Sequence, residues 1–170
     1  MSHHTSIQHL EDGAKDRIEH KRFLRFESEG IVNIENVSTK EPTLRSEEEL
    51  VFMQSYLKFR VPFFKTFEKQ VLELLTKKLK GIWFNNGDIV MRKDEIGDCM
   101  YCLIKGEVAV FIDTEMNNCI VTLKENKVFG ERALEHDDKR TASIVAKQKS
   151  LCLKLDKNDF LEVIFHVKML

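Results

Sequence analysis

The hydrophobic pattern of this 170-residue chain changes at Gly81 from helical spacing to alternation at every second residue. Beyond that point, residues 82–91, 100–112 and 119–123 form short segments rich in Val, Ile, Phe and Tyr, with Asn- and Gly-containing turn sequences between them. Segments of this length and period are typical of antiparallel strands. Closure into a small jelly-roll barrel leaves few exposed strand edges, so the pattern predicts that architecture.

Helices are predicted on both sides of the strands. Ser46 and Glu49 can form a capping box at the start of one helix, and Pro62 ends it because proline lacks the donor that a helix interior needs. Gly81 is placed to end a second helix in the left-handed conformation, and Asp156 to cap a final one. The predicted fold class is therefore α+β, mainly β: an antiparallel jelly-roll barrel flanked by N-terminal helices and a short C-terminal helix.

The same pattern divides the chain into four parts. The first is a polar tail, partly disordered, with a short helix near residues 15–26. A helical subdomain, the barrel and a truncated lid helix follow it. The predicted boundaries are residues 1–45, 46–80, 81–156 and 157–170.

Composition excludes several classes of protein. Lys+Arg 27 against Asp+Glu 28 leaves a net charge of -1, so the chain as a whole has no basic field for nucleic acid. Its apolar runs fall short of the roughly 20 residues that span a bilayer. The polar N-terminus does not resemble a secretory signal, and four cysteines are too sparse for a disulfide scaffold. We therefore expect a cytoplasmic protein that neither binds nucleic acid nor spans a membrane.

One segment interrupts the strand pattern and carries the chemistry. A glycine followed by helix-compatible residues, between two strands, presents backbone N–H groups to an anion. Arg140, nine residues after Glu131, can meet a phosphate with two parallel hydrogen bonds, while Glu131 suits a sugar hydroxyl. The candidate ligand-binding residues are Phe129, Gly130, Glu131, Arg132, Ala133, Leu134, Arg140, Thr141 and Ala142.

This segment resembles the phosphate-binding cassette of the cyclic nucleotide-binding domain family. The family pattern, approximately F-G-E-x-A-L, a five-residue spacer and R-(A/T/S)-A-(T/S/N), is matched without a gap at residues 129–143. Gly87-Asp88, Gly97-Asp98, Tyr101 and Gly106 fall at the strand and turn positions that the family uses. The resemblance spans roughly residues 61–164 and implies a regulatory domain that binds cAMP or cGMP and does no chemistry on it.

The resemblance also implies a role for each matched residue. Gly130 lets the backbone approach the ligand, Glu131 accepts from the ribose 2′-hydroxyl, and Ala133 contributes a backbone N–H to the cyclic phosphate. Arg140 neutralises that phosphate, and Thr141 faces phosphate or base. The sequence departs from common family members at Lys139, often proline, and at Arg132, often aliphatic, and neither change removes a ligand contact.

The identity of the nucleotide depends on Thr141. A hydroxyl directly after the arginine is associated with cGMP-dependent kinases, where it can bond the guanine amino group. Cation channels that answer to cAMP carry the same R-T-A sequence, so the resemblance favours cGMP only slightly. It also makes a protein kinase catalytic domain the leading effector, with a channel pore or an exchange factor as alternatives, all outside these residues.

The family covers the base with an apolar lid residue, for which the candidates are Phe160, Ile164, Phe165 and Leu170. We expect a short lid, a lid supplied by a partner, or a lid within a longer protein.

Two other classes of protein remain as alternatives. A scaffold could keep the barrel, leave its cavity empty and bind a partner through its helices, although an empty cavity has no use for a buried arginine. An enzyme is disfavoured because no nucleophile and base can be paired here. Cys99 and Cys102 have the spacing of a metal motif, but on a strand they face opposite sides, so neither a metal nor another cofactor is predicted.

Overall fold

The computed structural model of the chain describes the backbone of residues 2–30 and 32–169 and the side chains of residues 11–30 and 32–169. The helices are α1 Ser2–Ser28, α2 Ile34–Thr39, a 3-10 turn at Pro42–Leu44, α3 Glu47–Arg60, α4 Pro62–Lys65, α5 Lys69–Thr76, α6 Arg132–Glu135 and α7 Lys157–Lys168. The strands are β1 Lys80–Phe84, β2 Ile89–Met91, β3 Cys99–Lys105, β4 Val108–Phe111, β5 Cys119–Leu123, β6 Val128–Phe129, β7 Ser143–Ala146 and β8 Ser150–Asp156.

The strands form two antiparallel four-stranded sheets, as the alternating pattern predicts. Their orders are β1-β8-β3-β6 and β2-β7-β4-β5. One face of β3 and β8 packs inside the barrel, where Tyr101, Leu103 and Cys152 are buried. The opposite face packs on the helices through Cys102, Leu151 and Leu153. This confirms the predicted α+β fold class and places Cys99 and Cys102 on different faces of β3.

The capping box expected at Ser46 and Glu49 is present. Ser46 Oγ accepts from the Glu49 N–H at 3.2 Å and the Glu49 carboxylate accepts from the Ser46 N–H at 2.9 Å, which completes the capping box of α3. Pro62 ends α3 and starts α4. Arg45 is buried among these helices and donates to the carbonyl oxygens of Val37 and Thr76, so it joins α2 to the end of α5.

The N-terminal segment is more ordered than the predicted tail. The helix expected near residues 15–26 lies within the longer α1, and α2 and the 3-10 turn follow it before residue 45. Phe23 of α1 is buried against Phe52 and Tyr56 of α3, and these long-range contacts give no periodic signal in a mostly polar helix. Within the described residues, every helix is too short or too polar to cross a membrane.

The prediction for Gly81 is wrong. Gly81 lies in β1 rather than at a left-handed helix end, and α5 ends at Thr76 with Lys77 as its C-cap. A Cβ on Gly81 would lie 2.2 Å from the Ser38 carbonyl oxygen. The glycine is therefore needed because the end of α2 packs directly on β1.

The four cysteines are free thiols and differ in accessibility. Cys99, Cys102 and Cys152 are buried, whereas Cys119 is exposed on β5. Burial raises the pKa of the Cys99 and Cys102 thiols and raises that of Cys152 to about 12. Because the thiolate is the reactive form, these three should be inert in the folded protein.

We expect Ellman's reagent at neutral pH to modify one thiol in the native chain and four after denaturation. The Cys119→Ser variant should show no fast thiol in the native state. Rapid reaction of any thiol in that native variant would contradict the packing of the three buried cysteines.

Candidate functional site

A cavity of about 230 Å³ opens on the barrel beside the segment between β6 and β7. Its lining includes two stretches of the predicted cassette, separated in sequence by the spacer 135–139. The structure brings eight of the predicted site residues to this cavity: Phe129, Gly130, Glu131, Arg132, Ala133, Arg140, Thr141 and Ala142. Leu134 is buried in the core cluster shared with the helices and does not line the cavity.

Arg140 is the buried charge of the site. Its side chain is 6% exposed, Nη2 donates to the Cys99 carbonyl oxygen at 2.7 Å, and Nη1 donates to the Gly130 carbonyl oxygen at 3.1 Å. The nearest carboxylate, Asp98, is 4.0 Å away and 81% exposed, so water screens most of its charge. The guanidinium is thus held at the cavity wall by two carbonyl oxygens and by the Cys99 Sγ at 3.3 Å, and no buried carboxylate among the described residues pairs with it.

The backbone also fixes Arg140 in place. Its N–H donates to the Glu95 carbonyl oxygen, and its own carbonyl oxygen accepts from the Asp94 N–H, both at 2.8 Å. Residues 94–98 therefore frame the arginine from the side of the β2–β3 loop.

Two glycines make room for the guanidinium. A Cβ on Gly130 would lie 2.6 Å from Arg140 Nη1, and Gly130 has φ +76, in the left-handed region. A Cβ on Gly97 would lie 2.5 Å from the Ala133 Cβ and 3.3 Å from Arg140 Cζ. Both positions require glycine because a side chain would displace α6 or the arginine.

Ala133 is placed differently from the role that the resemblance implies. Its N–H donates to the Gly130 carbonyl oxygen at 3.2 Å, the same oxygen that accepts from Arg140. The Gly130 carbonyl therefore holds both groups that would contact a phosphate. Either contact with a phosphate would require the group concerned to exchange partners.

The cassette is connected to the C-terminal helix. Lys157, the first residue of α7, donates to the His136 carbonyl oxygen at 3.1 Å and to the Asp137 carboxylate at 2.7 Å. This ammonium group lowers the pKa of Asp137. Leu134 of α6 and Phe160 of α7 belong to the same core cluster, so a displacement of α6 would be transmitted to α7.

The apolar wall of the cavity was not predicted from the cassette. It comes from β2, β4, β5, β6 and β7, and its members are Met91, Val110, Leu123, Val128 and Ile144. The alternating pattern predicts an inward face for each strand. It does not show which of the inward residues reach the cavity. Asp138 and Lys139 of the spacer also line it.

Three of the four lid candidates, Phe160, Ile164 and Phe165, do not line the cavity. Phe160 is buried against Phe67 with ring centroids 6.2 Å apart, and Ile164 is half-buried in the same cluster. Phe165 is 67% exposed on α7. Leu170 lies outside the described residues. Among the residues that are described, no group of His, Cys, Asp and Glu could hold a metal ion.

The geometry agrees with comparisons to known proteins. A sequence model of the family described as "Cyclic nucleotide-binding domain" matches residues 82–166, half of the chain. The chain belongs to the cyclic nucleotide-binding domain family, as a domain of the regulatory type. The matched region includes the whole cassette.

Two curated relatives are similar over most of the chain. The human cyclic nucleotide-gated channel beta-3 is 36% identical over 110 residues, which cover 63% of this chain and 14% of the channel. The mouse cGMP-dependent protein kinase 2 is 31% identical over 130 residues, which cover 74% of this chain and 16% of the kinase. The chain thus spans about a sixth of the length of these relatives.

A solved structure shows the same fold. The regulatory domain of Toxoplasma gondii PKA, crystallised with cAMP, superposes with a TM-score of 0.60 at 19% identity. The match covers 68% of this chain and 45% of that one.

Proposed function

We propose that this chain binds a cyclic nucleotide in the barrel cavity and passes the binding event to its flanking helices. The observation that carries the proposal is Arg140, a buried guanidinium at the cavity wall that donates to two carbonyl oxygens and to the neutral Cys99 thiol. A cyclic phosphate carries one negative charge and two free oxygens, which suit the planar fork of an arginine. Glu131, half-buried on the same lining, is placed to accept from a ribose hydroxyl.

The Gly130 carbonyl suggests how binding becomes movement. A phosphate oxygen that accepts from Arg140 or from Ala133 N–H competes with this carbonyl, which holds both donors. Their release would reorient the 130–133 backbone and with it α6. Since α6 and α7 contact each other and Lys157 donates to the spacer, α7 would shift with α6. The ligand then biases an equilibrium between two positions of the helices.

For the ligand and the effector, we propose cGMP in slight preference to cAMP, and a protein kinase. Thr141 is exposed on the cavity lining, where its hydroxyl could reach a base amino group. The kinase relative is named as cGMP-dependent, which supports both parts of this proposal. The channel relative keeps a pore as an alternative effector.

The first test is a calorimetric titration of the chain with cGMP and, separately, with cAMP at physiological salt. Saturable binding of either would support the regulatory domain and name its signal. Absence of both heat and thermal shift with both nucleotides would favour the scaffold with an empty cavity.

Replacing Thr141 by alanine should distinguish the two nucleotides. We expect about a tenfold loss or less for cGMP, because one neutral hydrogen bond contributes about 1 kcal/mol, and almost no loss for cAMP. Parallel titrations of the wild-type chain and the Thr141→Ala and Thr141→Ser variants would measure it. Serine keeps the hydroxyl and should keep the cGMP affinity; equal losses for both nucleotides in the alanine variant would place Thr141 at the phosphate.

A further inference from the structure

A second cavity lies in the helical subdomain, between α1, α3 and the start of α5. Its volume is about 280 Å³, and it shares no lining residue with the cavity beside the cassette. We call it the helical groove. Its apolar lining comes from three separate segments of the chain and consists of four phenylalanine rings and two aliphatic side chains: Phe23, Phe26, Phe52 and Phe67, with Val51 and Leu72.

The rim of the helical groove carries a surplus of positive charge. Arg22, Lys58 and Lys69 line it together with a single anion, Glu19. The carboxylate of Glu19 lies 3.2 Å from Lys69 Nζ and 3.9 Å from Lys58 Nζ, so one carboxylate is shared between two lysines. Asp16, outside the lining, lies 2.6 Å from Lys58 Nζ.

Arg22 is the cation farthest from neutralisation by this network. Its guanidinium carbon lies 5.3 Å from the centre of the Phe26 ring, above the apolar lining, and its side chain is exposed. Lys69 lies on the α5 side of the rim, and its side chain is 76% exposed. Two exposed cations, Arg22 of α1 and Lys69 of α5, therefore line the groove from different helices.

We propose that the helical groove binds a small amphipathic monoanion, a medium-chain aliphatic carboxylate. The apolar lining excludes a fully polar anion, because such a ligand would lose its hydration without gaining hydrogen bonds. The positive rim disfavours a cationic amphiphile. At about 30 Å³ for each heavy atom of a liquid, the volume holds roughly nine heavy atoms, which matches a chain of about eight to ten carbons with its carboxylate at the rim. This proposal is independent of nucleotide binding.

The test is a calorimetric titration of the whole chain with decanoate, with 1-decanol and decyltrimethylammonium as neutral and cationic probes of the same length. We expect saturable binding of decanoate with one site, weaker binding of the alcohol and none of the cation. Equal affinity for the acid and the alcohol would overturn the proposal, as would binding to phosphatidylserine vesicles without binding to dissolved decanoate.

Two variants locate the site. Lys69→Glu reverses an exposed rim charge and should weaken decanoate binding about fivefold, as expected when an attractive exposed pair becomes repulsive. Lys65→Glu makes the same change on α4, outside the groove, and serves as the matched control. Ser55→Trp places an indole in the groove from a half-buried position on α3 and should abolish binding.

A third variant separates this site from the nucleotide cavity. Arg140→Ala should leave decanoate affinity unchanged, even where it removes nucleotide binding. Loss of decanoate binding in Arg140→Ala, or equal affinities in Lys69→Glu and Lys65→Glu, would show that the helical groove is not the site.

Discussion

Replacing Arg140 by alanine is expected to weaken cyclic nucleotide binding by two or more orders of magnitude. Removal of one member of a buried charge pair costs roughly 2 to 5 kcal/mol, and each 1.4 kcal/mol is about tenfold in affinity. The side chain is 6% exposed and lies at the cavity wall. Arg140 is the only buried cation among the described residues that line the cavity, so the substitution would leave a bound phosphate without one. Calorimetric titration with cGMP and cAMP, beside a thermal unfolding curve, measures the effect.

Arg92→Ala is the matched control, because Arg92 is exposed on the same barrel and does not line the cavity. It should bind both nucleotides as the wild-type chain does. Arg140→Lys should fall between wild type and Arg140→Ala, since lysine keeps the charge but loses the two-pronged geometry. Equal losses in Arg140→Ala and Thr141→Ala would contradict the roles assigned to these two residues.

Gly130→Ala is the second change with a large expected effect. Two costs combine: the left-handed backbone at φ +76 disfavours alanine by roughly 1–2 kcal/mol, and the new Cβ would lie 2.6 Å from Arg140 Nη1. The guanidinium has to move away from the carbonyl oxygens that hold it, so both stability and nucleotide affinity should fall. Denaturant unfolding and titration with cGMP measure the two losses separately.

Gly87→Ala isolates the backbone-strain part of this effect. Gly87 has φ +88 but nothing lies within 4 Å of its added Cβ. It should therefore lose stability through backbone strain alone and retain its nucleotide affinity. If Gly130→Ala and Gly87→Ala lose affinity equally, contact with Arg140 is not the reason that position 130 is a glycine.

On the proposed function, the arrangement around Gly130 would also let the cassette act as a switch. A single carbonyl oxygen accepts from Arg140 and from the Ala133 N–H, so one anion can compete for both donors. On the proposed function, part of the free energy of ligand binding is then used to rearrange α6. The connection continues through Lys157 into α7, without a need for any contact between α7 and the ligand.

The cassette could be predicted from sequence because its residues lie close together along the chain. Gly130, Glu131 and Arg140 fall within eleven positions, at spacings set by one turn and one short spacer. The capping box at Ser46 and Glu49 was predictable for the same reason, since both partners lie within one helical turn. Local chemistry of this kind depends little on the rest of the fold.

Prediction failed where the role of a residue depends on contact with a distant part of the chain. Gly81 looked like a helix end, but its lack of a side chain is required by the Ser38 carbonyl of α2. Leu134 matched the cassette pattern, yet it packs toward the helices and away from the cavity. Each of these positions is determined by a contact between separate elements. The sequence does not show how far apart those elements lie in the folded chain.

Taken alone, the sequence determined the change from helical to strand periodicity, the turns, and the spacing of the cassette residues, because all of these follow from neighbours a few residues apart. Only the tertiary structure decided that Cys99 and Gly130 supply the carbonyls that hold Arg140, that five strands build the apolar wall, and that α1 closes a second groove. These features arise where segments far apart in sequence pack together, and close packing depends on the shape of both partners.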